Sequence, residues 1–155
     1  VDIFIGTPLR GSAKGSGRAM YIMRTKRKNG SDYEAAPQIV EYDNTTESES
    51  VLRAIRDALQ RLHYACTVVI HTECSYVASA ITQHWPEKWQ RNGWKSAKGN
   101  PVKNAVLWEM LLQDVEDGGH ILLAEGEKHE YAEWMRFNMP LKRALKDIFT
   151  EVPKN

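Results

Sequence analysis

The chain has 155 residues, with 21 Lys and Arg against 20 Asp and Glu and a net charge of +1. That length suits one ordinary domain with a sizeable core, and residues 1–155 read as a single domain. The charge balance excludes a uniformly basic or acidic protein, so any electrostatic partner must be met by a local patch.

The chain enters a strand-like apolar run at once, Val1 to Ile5. It therefore reads either as trimmed or as a piece of a longer polypeptide. Gly6-Thr7-Pro8 and the Gly/Ser-rich stretch to Gly17 predict a turn. Ala19 to Arg24 alternates apolar and polar residues as a second strand does, and Asn29-Gly30 marks a hairpin turn within Lys26 to Ser31. A third strand is expected over Ala35 to Tyr42. Asn44-Thr45-Thr46-Glu47 then offers helix caps. Val51, Leu52, Ile55, Ala58, Leu59 and Leu62 recur at helical spacing and predict an amphipathic helix from Glu49 to Leu62. The β-branched run Cys66 to His71 suits a buried parallel strand. Helices are expected over Ser75 to Thr82, Lys103 to Glu116 and Glu130 to Asn138, with a strand over Ile121 to Ala124 and a further helix from Pro140. Three strands on short turns, followed by strands separated by helices, predict an α/β fold. Its mixed five-stranded sheet combines an antiparallel meander with parallel strands and is flanked by helices. No apolar run reaches 20 residues and no leader-like segment appears, so a soluble protein without a membrane partner is expected. Cys66 and Cys74 show neither metal nor disulfide spacing, which predicts a reducing, cytoplasmic setting.

Charge is unevenly distributed. Arg10, Lys14, Arg18, Arg24, Lys26, Arg27 and Lys28 follow one another with no acid between them, whereas Glu109 to Glu133 holds eight acids and one lysine, Lys128. The most informative stretch is Ile81 to Trp108, ITQHWPEKWQRNGWKSAKGNPVKNAVLW. It sets four tryptophans (Trp85, Trp89, Trp94, Trp108) among five cations (Lys88, Arg91, Lys95, Lys98, Lys103) with one acid, Glu87. Cations screen phosphates and aromatic rings pack on sugars or bases, so the pattern suits a nucleic-acid surface.

The word order there, together with Thr72-Glu73-Cys74-Ser75-Tyr76-Val77 and the element order, closely resembles bacterial type 1 ribonuclease H. In that family an I-T-x-W, N-W-x-x-R-G-W-K, P-V-K-N, L-W series forms a basic protrusion, or handle, that grips an RNA/DNA hybrid. The resemblance places the handle at about 81–104. It makes Trp85, Lys88, Arg91, Trp94, Lys95, Lys98, Lys103 and Asn104 nucleic-acid-binding candidates, joined by Lys14 in the glycine-rich turn. It also assigns Trp108 to the core, and Trp89 and Trp94 to bracing the handle.

The resemblance further implies four carboxylates holding two magnesium ions. Matching the motifs one at a time puts Gly6 in the place of the first-strand aspartate. Val51 falls in the place of the helix glutamate, with Ser50 or Glu49 there after a slip of one or two residues. Glu73 replaces the aspartate after the central strand, and Glu133 the aspartate of the last conserved helix, in His129-Glu130-Tyr131-Ala132-Glu133. Glu125-Gly126-Glu127 stands where many members have a K-G-H loop. The expectation is a divergent member with a degenerate active site, in which Glu73 and Glu133 hold at most a weak Mg²⁺ or Mn²⁺. Its partner would be an RNA/DNA hybrid or duplex. Two other readings stay open: a working Mg²⁺- or Mn²⁺-dependent ribonuclease with Glu73, Glu133 and Glu49 as ligands, and a non-catalytic scaffold for a protein partner.

Overall fold

A computed structural model describes residues 1–139; the helix expected from Pro140 lies outside them. The elements, in chain order, are β1 (Asp2–Gly6), β2 (Gly15–Lys26), β3 (Asp32–Glu34), β4 (Gln38–Thr45), α1 (Glu47–Leu59), β5 (Thr67–Thr72), α2 (Ser75–Thr82), α3 (Trp85–Arg91), α4 (Ala105–Gly118), β6 (Ile121–Glu125) and α5 (Ala132–Asn138). β1 pairs antiparallel with β2 and parallel with β5, which pairs parallel with β6. β3 and β4 follow one another along the outer edge of β2.

The strand expected over Ala35 to Tyr42 is β4, shifted to Gln38–Thr45; β3, Asp32–Glu34, precedes it and was not expected, so among the described residues the sheet counts six strands rather than five. The register explains the break between the two. Arg24 lies opposite Glu34, but Tyr21 lies opposite Gln38, a slip of one residue across Ala35-Ala36-Pro37. Proline has no N–H to give to the ladder and sits at bulges or edges for that reason.

Alternation along the strands divides the core in two. Ile3 and Ile5 of β1, Ala19 and Tyr21 of β2, and Val68 and Ile70 of β5 point to one face, where they pack with α1, α2 and α4. Phe4, Met20 and Ile22 point to the other and meet Met135 of α5, with Met139 just beyond it. Each of the buried Val, Ile, Phe and Met side chains among these contributes about 1.5–3 kcal/mol of burial. Only Thr46 separates β4 from α1, and it caps the helix: its hydroxyl accepts the Glu49 N–H at 3.3 Å. Among the described residues no helix is long and apolar enough to cross a membrane.

Two glycines are dictated by close approach. A Cβ on Gly17 would lie 2.0 Å from a Thr45 methyl. A Cβ on Gly6, at the end of β1, would lie 2.8 Å from the sulfur and 3.2 Å from the Cβ of Met135.

Candidate functional site

The handle is built from the inside out. α3 begins at His84, whose backbone is left-handed at φ 57°, and Pro86 sits in its first turn, where a missing N–H costs nothing. Trp85 and Trp89 lie with ring centroids 6.1 Å apart, and Trp89 meets Trp108 edge-on at 6.1 Å. Trp108 is buried and its indole N–H donates to the Tyr76 hydroxyl at 3.1 Å. Trp94 takes a left-handed turn at φ 60°, rests half-buried against the same core, and starts a tight loop closed by the Lys95–Pro101 bridge. The four tryptophans therefore form one continuous brace from handle to core.

The charges sit outside that brace. Lys88, Arg91, Lys95, Lys98 and Lys103 are all exposed, as is Lys14, and among the described residues none of the six makes an ion pair. Free cations on a rigid support are what a polyanion needs. Asn104 is tied to the scaffold. With φ at 61° it starts α4, and its amide donates to the Ser48 hydroxyl at 3.0 Å, tying the handle's exit to α1.

At the ends of β1 and β5 lies a cavity of about 520 Å³. Gly6, Thr72, Glu73 and Cys74 form its floor, Arg10 and Glu47 one wall, and Ala132, Met135, Arg136 and Met139 of the α5 region the other. Glu73 reaches it as expected from its motif. Val51 does not; it is buried in the core with α1's other apolar residues. Ser50 is buried against Gly17, and Glu49 turns away, accepting from the Thr45 hydroxyl at 3.1 Å and pairing with Arg53 at 3.6 Å. The carboxylate that α1 does bring to the cavity is Glu47, which accepts the Gly11 N–H at 3.0 Å and lies 3.8 Å from Arg10. In the sequence it reads only as an acid suited to a helix N-terminus.

Glu133 is 65% exposed and is not part of the cavity wall. It bonds Lys128, whose proximity lowers its pKa from the ordinary carboxylate value. Arg136, one turn further along α5, stands between the two family positions: 3.4 Å from Glu133 and 4.0 Å from Glu73. That side chain was legible as an i,i+3 partner of Glu133, but nothing in the sequence said that it faces Glu73. Burial pushes the Cys74 thiol up. His129 also closes this end. Its Nε2–H donates to the Ile5 carbonyl at 2.8 Å while Nδ1 accepts the Tyr131 N–H at 3.2 Å, and burial lowers its pKa. Glu125, at the end of β6, lies 3.3 Å from His71, whose other ring nitrogen meets Asp2 at 2.8 Å.

Magnesium needs hard oxygen donors at about 2.0–2.1 Å in near-octahedral array. Gly6 offers no donor, and the space its side chain would need is filled by Met135. Val51 is apolar core, and Glu73 and Glu133 face a guanidinium rather than one another. These side chains do not fit a two-ion centre.

The sequence profile described as RNase H matches residues 9–123, well over half of the chain, and the chain belongs to that family. It is similar to the Ribonuclease H of Caldicellulosiruptor saccharolyticus, 41% identical over 71 residues, covering 46% of this chain and 49% of that protein. It is likewise similar to the Ribonuclease H of Bordetella avium, 45% identical over 67 residues, covering 43% of each. The aligned stretch thus spans about half the length of these curated relatives. Among solved structures, a type 1 RNase H with the type 2 active-site motif superposes with a TM-score of 0.65 at 20% identity, over 86% of this chain and 68% of that one. The foamy viral protease-reverse transcriptase, solved in complex with an RNA/DNA hybrid, superposes at 0.64 and 15% identity over 96% of this chain and 20% of that one. Likenesses at these identities establish the fold, a ribonuclease H-like α/β sheet.

Proposed function

We propose that this chain holds an RNA/DNA hybrid or duplex without cutting it efficiently, as a single ribonuclease H-like domain whose two-metal nuclease centre is impaired or lost. The observation that carries the proposal is the handle: five exposed cations that make no ion pair among the described residues, on a tryptophan brace packed into the core, with Lys14 exposed in the glycine-rich turn. Binding is independent of sequence and sensitive to salt, because phosphate contacts dominate it. The curated relatives' name and the foamy viral complex with a hybrid support the choice of ligand. Two free cysteines, Cys66 and Cys74, agree with a reducing, cytoplasmic setting. The test is anisotropy of a labelled hybrid with the full chain, alongside charge reversal at Lys95, Lys98 and Lys103. Unchanged affinity in that variant would sink the proposal.

The relatives' name also favours a second reading, an active ribonuclease that cleaves the RNA strand with Mg²⁺ or Mn²⁺. Incubating the labelled hybrid with each metal decides between the two. Metal-dependent cleavage that disappears in Glu73→Gln establishes the enzyme; an intact strand supports the binding protein.

A further inference from the structure

The cavity is lined by side-chain cations of its own, Arg10 and Arg136. A centre of four bare carboxylates repels a phosphodiester until two divalent ions offset its charge. Among the described residues, three carboxylates of this region, Glu47, Glu73 and Glu133, each lie beside a side-chain cation: Arg10, Arg136 and Lys128. Within these three pairs the charges balance. The two arginines that line the cavity are also open to solvent, Arg136 at 57% and Arg10 at 55% exposure. Arg136 is loosely held, at 3.4 and 4.0 Å from its carboxylates, so its planar fork has donors free to turn to another oxyanion.

We infer that Arg136, assisted by Arg10, is a phosphodiester-binding site that replaces the divalent ions, so that nucleic acid is held here without a metal. This rests on the proposed hybrid binding and deepens it: the handle supplies the first contact and the cavity mouth a second. With Arg136 removed, Glu73 and Glu133 lose their shared cation, and the region turns repulsive unless a divalent ion enters.

The experiment measures hybrid affinity of the full chain in EDTA and in MgCl₂ at matched ionic strength. The unsubstituted protein binds equally in both. Arg136→Gln weakens binding several-fold in EDTA, makes the log–log salt dependence shallower by roughly 0.9, as loss of one phosphate contact should, and regains affinity when Mg²⁺ is added. Arg136→Lys keeps the charge and stays metal-independent. Circular dichroism confirms that each variant is folded. Binding by the unsubstituted protein that requires Mg²⁺, or an Arg136→Gln variant indistinguishable from it in EDTA, overturns the inference. If Arg136→Gln is silent while charge reversal of the handle abolishes binding, only the inference falls. If the handle variant is silent, the proposed function falls instead.

Discussion

The handle and the carboxylate cavity lie in one molecule and have diverged to different degrees. The handle keeps its tryptophans, its cations and its word order, and the structure gives each a place: rings inward on Trp108, charges outward. Around the cavity, Met135 lies against Gly6, Val51 is in the core and Arg136 stands between Glu73 and Glu133. The difference follows from what each region demands. A cationic surface acts through summed charge over a Debye length of about 8–10 Å and tolerates shifts of an ångström. A metal centre needs every donor within about 0.2 Å of its ideal distance. One lost donor removes the constraint on the others.

The comparison can be broken at four points, in order of expected effect. Trp108→Ala removes the anchor of the brace and should cost about 3–5 kcal/mol of stability, as for other buried Trp deletions. Urea unfolding measures it, and a loss below about 1 kcal/mol, the size of an ordinary substitution, would mean that the handle stands without its core. Charge reversal at Lys95, Lys98 and Lys103 should make the salt dependence of hybrid binding shallower by roughly 2.7, if each lysine meets one phosphate. A slope that does not move would remove the handle from the contact.

Gly6→Ala should destabilise by about 1 kcal/mol, the net of overpacking against Met135 and a stiffer unfolded chain. The cost should shrink in a Met135→Ala background, and additive losses in that double-mutant cycle would show that the two residues are not coupled. The smallest effect concerns His129, whose folded pKa lies below its ordinary value of 6.5 because burial disfavours the imidazolium. The unfolded chain then takes up the proton first. The stability His129 contributes is complete above about pH 6.5 and is lost as pH falls below it. The drop in Tm between about pH 7.5 and 5.5, a window that spans that titration, should be smaller in His129→Gln, and an equal drop would discount this histidine.

How much of this was legible in the sequence depends on the range of the interactions. Although α3 inside the handle was not expected as a helix, α1 followed from the period of its apolar residues and β5 from its β-branched run. The split between β3 and β4 did not, since a one-residue slip is set by the pairing with β2 and not by β4 itself. In the site, Glu73 was readable because its neighbours Thr72, Tyr76 and Val77 carry the motif. Val51 was readable as a core residue from its apolar spacing, and only the motif match set it in the place of the family's glutamate. Glu47 and Arg136 were missed as cavity residues, for each gains its meaning from partners far along the chain: Gly11, and Glu73. Asn104 matched a handle motif, yet its side chain serves the α1–α4 junction.

The contact between Gly6 and Met135 couples the two positions. An aspartate introduced at residue 6 would drive a branched polar side chain into the methionine, so that change is unfavourable while Met135 stays. Trimming Met135 first opens a void beneath α5, which is unfavourable too, because this residue is buried. Each step toward a carboxylate crosses a less stable intermediate, and neither yields a ligand set without further changes at Val51 and Arg136. Placing a carboxylate at the end of β1 therefore takes at least two concerted changes, one at residue 6 and one in the side chain of α5 that covers it.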